Sequence, residues 1–484
     1  MIVLAALLYL AGVPGNPPGF HIDESSISYN AYTIAQSGRD EHGTPWPLFF
    51  RAFGDYKNPV YIYLLAGLFK LVGPSIWAGR LLSAFSGMCA ALLLGLLAQR
   101  LARRRDVALL TTLSALLTPW LFETSRVVME VALYPLALAL FLLCLHRVSA
   151  RVKWSYLEIG SLAITLALLT YTYSIGRLLG PLLAFGLLLF ATRERWASLL
   201  QTWCAYLLTL VPLFLFNRHN PGALTGRFKL VTYITPQSSD GEIAVNFIRH
   251  FVGNLNVWRL LVSGDPNPDQ VVHLSGAPHM LAATLVFAIV GGTLVLRDQR
   301  RSAWWRFIFY GLFVSVVPAS LTGDYLHMLR LVALPVFLLV LSVPAFAWFV
   351  ERARLRRGWR MAFVFLIALT LLQGAFFQWQ FRRNASAPRR LHQFDAEYPR
   401  KIFAQAIAAP SRPIYLADAP AIPGYIQAYW YGTLRGVDRS RFVRLSPAEP
   451  PPPGAVVIST EENWRRYDII AISEPYRLYI ANLP

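Results

Sequence analysis

The sequence predicts an α-helical polytopic membrane protein of about eleven transmembrane helices, with a small extracytoplasmic α/β domain at its C-terminal end. Three observations predict it. Apolar residues make up 55% of the 484-residue chain and charged residues 15%, against about 45–50% and about 25% in soluble domains. Apolar runs of membrane-spanning length recur as far as residue 380 or so. Arginine clusters fall in alternate loops between those runs.

A helix crossing a bilayer needs about 20 apolar residues, with about 17 as a lower limit. Runs of this kind lie near 77–99, 107–122, 131–146, 155–173, 177–192, 196–216, 279–296, 304–320, 330–350 and 360–380. A shorter run, 1–13, opens the chain. It has no basic residue before it and reads as a first span with a short start rather than as a signal-peptide remnant.

The loops set the direction. Arg100, Arg103, Arg104 and Arg105 follow one run; Arg147, Arg151 and Lys153 another; Arg193 and Arg195 a third. Arg297, Arg300, Arg301 and Arg306 mark the next such turn, and the stretch 351–360 is again rich in Arg. Basic residues concentrate in cytoplasmic loops, so the N-terminus is expected inside. The stretches 14–76 and 217–278 become outer loops, and the tail from 382 lies outside. The expected domains are therefore a membrane part, 1–381, and an extracytoplasmic part, 382–484.

The tail is different material. It holds the Pro-rich segment PAEPPPPG, no membrane-length run, and short apolar stretches RPIYLAD, GAVVIST and YDIIAIS with GYIQAYWYG among them. That pattern predicts strands and one helix in a small α/β unit.

Charge and cysteine content narrow the function. A net charge of +19 on a soluble chain would suggest nucleic acid as a partner. Here much of the excess sits in inner loops, where orientation accounts for it, so the expected partner is a lipid bilayer. Cys89, Cys144 and Cys204 all lie in apolar runs, which leaves no disulfide framework and no cysteine metal site.

Ionisable residues at the membrane edge are costly and mark function by default. On the outer side these are Asp23, Glu24, Asp40, Glu41, Asp55, Lys57, Arg80, Glu123, Arg126, Glu130, Arg177, Asp324, His327 and Arg330. Asp23-Glu24-Ser25-Ser26 looks like a helix start, followed by Ile27, Ala31, Ile34 and Ala35 on one face. This predicts an amphipathic helix lying on the membrane and ending at Gly38. First-turn acids also oppose the helix dipole without any chemistry. Arg126 and Glu130 are four apart and could form an intrahelical pair, and Arg80 could snorkel to the interface.

The acidic pair after the first span, the surface helix, and then KNPVYIY together resemble glycosyltransferases of the GT-C fold. Family 39 is the nearest in pattern: the protein mannosyltransferases and the bacterial aminoarabinose transferases of lipid A. WAGRLLSAFSG, YTYSIGRLLGPLLA and PASLTGDYLHMLRLVALPVF resemble its later segments, and the likeness runs from 21 to about 345. The resemblance implies a polyprenyl-phosphate-linked sugar as donor, a lipid, glycan or protein acceptor on the outer face, and inversion at the anomeric carbon. It implies Asp23 as general base with Glu24 beside it, and Glu130 as a second acidic site. A phosphate leaving group needs cations where charge builds up, and Arg330, His327, Arg80, Arg126 and Lys57 are the candidates. His21, Asp23 and Glu24 have donor types that suit a divalent ion, but their spacing is not diagnostic and no metal is assigned.

Two other classes compete. A lipid or sugar transporter predicts broken helices with polar residues near the midplane in matched halves, whereas the acids here gather at one edge. A non-catalytic scaffold with a C-terminal binding domain leaves that gathering unexplained.

Overall fold

The computed structural model describes residues 1–481 apart from 266, 268–269, 411–412, 420–421, 447–449 and 462–466. Its membrane part is mainly helical: α1 (Ile2–Leu10), α2 (Ile22–Ser37), α3 (Pro59–Val72), α4 (Ile76–Ala102), α5 (Arg105–Leu117), α6 (Pro119–Thr124), α7 (Tyr134–Ser149), α8 (Tyr156–Thr172), α9 (Gly176–Gly186), α10 (Trp196–His219), α11 (Gly226–Val231), α12 (Asp240–Asn254), α13 (Ala282–Asp298), α14 (Ala303–Ser320), α15 (Leu334–Leu355) and α16 (Arg357–Arg383). Each of the eleven apolar runs is helical. Among the described residues six helical stretches are long and apolar enough to cross a membrane: Ile76–Ala102, Glu130–Ser149, Trp196–His219, Ala303–Ser320, Leu334–Leu355 and Arg357–Ser386.

Three features depart from the sequence expectation. The run 107–122 is broken at Pro119, which has no N–H to donate and disfavours helical backbone in the residue before it. The chain therefore leaves α5, makes the single turn-and-a-half of α6, and passes through a 3-10 turn at Glu130–Leu133 before α7. Within the expected outer loop 14–76 lies an apolar helix, α3, started by Pro59 in its first turn, where a missing N–H costs nothing.

The third is α2, which is not a helix with one polar face free but is largely enclosed by protein. Residues 24–31 of it are all buried, because α3 packs on one side and a helix of the C-terminal part on another. Its ends are as the residues dictate. His21 accepts from the Asp23 amide while Glu24 reaches back to the His21 amide, a capping box, and Gly38 closes the helix in the left-handed conformation that glycine adopts without a Cβ penalty.

The C-terminal part contains α17 (Pro388–Gln393), α18 (Ala404–Ala408) and α19 (Tyr425–Leu434). After β1 (Phe50–Ala52) and β2 (Asp55–Lys57) in the first outer segment, its strands are β3 (Ile414–Ala417), β4 (Phe442–Arg444), β5 (Val456–Ser459), β6 (Tyr467–Ser473) and β7 (Tyr476–Ala481). They form one sheet in the order β4-β3-β5-β7-β6, with β3 parallel to β4 and β5 and the last two pairings antiparallel. The three short stretches predicted as strands contain strands, and GYIQAYWYG opens α19.

This sheet domain shares a core with the first outer segment. Trp430 of α19 stacks against Phe20 at 5.7 Å and Phe69 at 5.9 Å. Beneath it the buried Gln427 side chain donates to the Phe20 carbonyl and to Asp395, both at 2.7 Å, and accepts from Ser25 Oγ at 2.7 Å. Tyr476 donates to the same Asp395 carboxyl at 2.9 Å. Burial pushes Asp395 up from 3.8 to about 7, with the bonds from Tyr476 and Gln427 opposing it in part.

The native state therefore holds a proton that the unfolded chain releases, so the stability from this group is full below pH 4 and lost as pH rises through about 7. Thermal unfolding followed between pH 5 and pH 8 is expected to show that slope. Asp395→Asn is expected to flatten it, removing at most about 4 kcal/mol of pH dependence.

Candidate active site

The β1–β2 hairpin and the residues that follow it organise the site. Phe53 and Gly54 both have positive φ, at 56° and 76°, the two-residue geometry that matches strand twist in a hairpin. The turn carries the chain from β1 back along β2 and delivers Lys57, Asn58 and Pro59 in sequence. Each serves a different neighbour. The Lys57 ammonium pairs with the Asp23 carboxylate at the start of α2. The Asn58 amide donates to Glu130 Oε1 at 3.0 Å, and its side-chain oxygen accepts from Arg177 at 2.7 Å. Pro59 opens α3.

Asp23 is the accessible acid of the group, its side chain 32% exposed. His21 Nδ1 lies 3.6 Å from its other oxygen. Burial acts to raise the Asp23 carboxyl, but the ammonium of Lys57, with His21 and Arg227, outweighs it and holds the group at about 2, below its ordinary 3.8. The carboxylate is thus ionised at any ordinary pH. Its contribution to stability is present above pH 4 and fades as pH falls through about 2.

Glu24 does not stand beside Asp23 facing a substrate. It is fully buried and grips Arg80 with both oxygens, Nε to Oε1 at 3.0 Å and Nη2 to Oε2 at 2.9 Å. The same carboxylate accepts the amides of Val128 at 2.9 Å and His21 at 3.0 Å. Arg80 in turn donates to the carbonyls of Pro14, Pro17 and Gly19. Its five N–H groups are all engaged, which leaves none for a phosphate. The adjacent acids point to different partners, so His21, Asp23 and Glu24 do not present one common face to a divalent ion.

Arg126 is buried as well. It donates to the Tyr9 carbonyl at 2.7 Å and twice to that of Asn16, at 3.1 and 2.8 Å, between the rings of Phe122 and Phe381. It ties α1 and the segment after it to α6. It does not pair with Glu130, because α6 ends at Thr124 and the chain between Arg126 and Glu130 is not the continuous helix that a four-residue spacing assumes.

Arg330 lies in the turn before α15, partly buried, and donates to Asp324 at 2.7 Å and Thr322 at 2.9 Å. His327, one turn earlier, is lowered to about 3 by burial and by the charge of Arg330, so it is a neutral imidazole rather than a cation. Arg330 and His327 make no hydrogen bond to Asp23. Two residues overlooked in the sequence act electrostatically on both groups. Tyr173 is within electrostatic reach of Glu130, Arg330, Lys57 and Arg227. Arg227 of α11 acts on Asp23, Tyr173 and His327 alike. The one available signal for Arg227 was a basic residue in an outer loop, against the usual bias of such loops.

The site therefore comprises one partly accessible carboxylate, an ammonium, a buried second acid, a phenol and two guanidinium groups near the ends of helices. Such a set can hold an anionic group and accept a proton beside it. The protein so defined is a polytopic membrane protein of the GT-C fold with a C-terminal sheet domain. Residues 56–219 match the family model described as dolichyl-phosphate-mannose-protein mannosyltransferase.

The whole structure is similar to the crystal structure of ArnT from Cupriavidus metallidurans bound to undecaprenyl phosphate. That match has a TM-score of 0.60 at 14% identity and covers 100% of this chain and 97% of that one. The apo state of the same protein matches with a TM-score of 0.57 at 13% identity, with coverage of 100% and 97%. The archaeal oligosaccharyltransferase AglB from Archaeoglobus fulgidus, in complex with an inhibitory peptide and a dolichol-phosphate, gives 0.49 at 13% identity, over 92% of this chain and 63% of that one. No curated protein matches the chain in sequence.

Proposed function

We propose that the chain is a membrane glycosyltransferase that moves a sugar from a polyprenyl-phosphate donor to an acceptor on the outer face. The matched family model and the ArnT-like fold support a glycosyltransferase, and the undecaprenyl phosphate of that ArnT structure supports the class of donor. The observation that carries the reading is the Asp23–Lys57 pair at the outer ends of helices, with Arg227 and Tyr173 linking it to Arg330. In this reading the N-terminus is cytoplasmic and the C-terminal domain lies outside.

Lys57 is shared between two anions in this scheme. In the free enzyme it neutralises Asp23. When the donor phosphate enters, Lys57, Arg227 and Arg330 hold its oxygens, and the carboxylate loses part of its cation. Its proton affinity rises as a result, which suits it to take the proton of the acceptor nucleophile. Attack opposite the phosphate inverts the anomeric carbon, and the departing polyprenyl phosphate is stabilised by the same cations. Glu130, whose charge also acts on Lys57, is the second acid, and neutral His327 serves as a hydrogen-bonding group. Arg80, Arg126 and Glu24 are read here as structural.

The test is turnover in proteoliposomes with a polyprenyl-phosphate sugar, following release of polyprenyl phosphate and the configuration of the product. Retained configuration would overturn the mechanism. Absence of any release with every donor sugar tried, while lipid phosphate still binds, would overturn the class. Arg330→Ala is expected to weaken donor binding about tenfold or more, since charged hydrogen bonds contribute about 1.5–3 kcal/mol, and to leave acceptor binding nearly unchanged. Equal weakening of both would refute its role at the phosphate.

A further inference from the structure

We infer that Glu123, His273 and His279 form a binding site for a borderline divalent metal ion such as Zn²⁺, separate from the Asp23 site and independent of the glycosyltransferase reading. The three side chains come from two segments far apart in sequence, α6 and the stretch leading into α13. All are buried, and one ligand atom from each lies within 4.8 Å of the others. Two imidazoles and a carboxylate suit zinc and its neighbours in the transition series, and do not suit magnesium or calcium.

The orientation of each side chain supports this. His273 Nδ1 faces Glu123 Oε2 at 2.8 Å, while the other oxygen of Glu123 is fixed by the Leu274 amide at 2.7 Å. The opposite side of the His273 ring is closed by the Gly264 backbone: a Cβ built there would fall 2.0 Å from Nε2. The usable face of the imidazole is therefore Nδ1, directed at the carboxylate. The His279 ring lies against it, with centroids 4.0 Å apart.

Without an ion the cluster is poorly satisfied. Neither ring nitrogen of His279 has a hydrogen-bond partner among the described residues, and neither does His273 Nε2. A buried polar group left unpaired costs about 1–3 kcal/mol, and such groups in native proteins call for an explanation. A metal ion supplies one. It takes the lone pair of His273 Nδ1, so the proton shared there with Glu123 Oε2 moves to Nε2, or is released where the ring begins as the cation, and it gives one nitrogen of His279 a partner. The remaining coordination is open to a water molecule.

The position suggests what such an ion would do. Trp120, on the same short helix as Glu123, is fully buried. Its amide donates to the His279 carbonyl at 3.1 Å and its indole N–H to the Met328 carbonyl at 2.9 Å. The ion would pin the stretch before α13 onto α6, beside the turn that carries His327 and Arg330. It positions; it does not touch the reacting atoms.

The experiment is metal analysis of the purified full-length chain, stripped with EDTA and reloaded with Zn²⁺ or Co²⁺. About one tightly held ion per chain is expected, with an X-ray absorption spectrum showing two imidazoles and no sulfur. His279→Ala and Glu123→Gln are expected to weaken Co²⁺ binding at least about tenfold, while His219→Ala, on an exposed helix end, leaves it unchanged. Folded wild-type protein that retains no ion, or an ion whose spectrum shows thiolate or only oxygen ligands, overturns the proposal. The wild-type spectrum decides the matter even if the variants fail to fold.

Discussion

Asp23→Asn is expected to lower sugar transfer about 10²–10⁴-fold, the range removed when a positioned general base is lost, with binding of the lipid-phosphate donor retained. The reason is geometric. Asp23 is the acid at the start of α2 whose carboxylate remains partly accessible while paired with Lys57, whereas Glu24 beside it is sealed in the interior. The asparagine keeps the size and can still hydrogen-bond, but it cannot take a proton. It also frees Lys57 from its counter-charge, so donor binding is expected to hold or tighten. Transfer rate and donor affinity, measured separately on the same preparation, check the prediction. A variant with unchanged turnover would remove Asp23 from the mechanism, and loss of donor affinity in proportion to the rate would reassign it to binding.

Arg80→Ala and Glu24→Ala are expected to abolish folding or to lower stability by about 3–5 kcal/mol each, because either change leaves an unpaired charge in the interior. Arg80 joins three carbonyls of the 14–19 segment to Glu24, and Glu24 joins the starts of α2 and of the turn before α7 through the His21 and Val128 amides. Arg80→Lys is not expected to rescue, since one ammonium cannot reproduce a bidentate grip and three carbonyl bonds. Yield of monodisperse protein in detergent and its thermal unfolding are the readouts. An Arg80→Ala protein that folds normally but loses donor affinity would restore Arg80 to the phosphate site.

These two predictions separate residues that looked equivalent in the sequence. Asp23 and Glu24 are neighbours, and Arg80, Arg126 and Arg330 are all arginines at the outer edge. Position along the chain and chemical type could not distinguish a guanidinium whose donors are saturated by carbonyls from one that shares an acid and a hydroxyl. Arg227 and Tyr173 escaped notice for the converse reason: one lies in a long outer loop and the other at a helix end, and only their shared surroundings mark them. His273 and His279 gave no signal at all, because their partner Glu123 is some 150 residues away.

The order of helices, three of the C-terminal strands and the collection of ionisable residues at one edge follow from local chemistry: apolar length, turn residues and the cost of charge in lipid. Those act over a few residues, so the amino-acid order alone determined them. The burial of α2 between α3 and α19, the saturation of Arg80, the enclosure of Arg126, and the pairing of Lys57 with Asp23 depend on which surfaces meet. Packing among distant segments decided them, because a side chain's partners are set by the space around it and not by its neighbours in the chain.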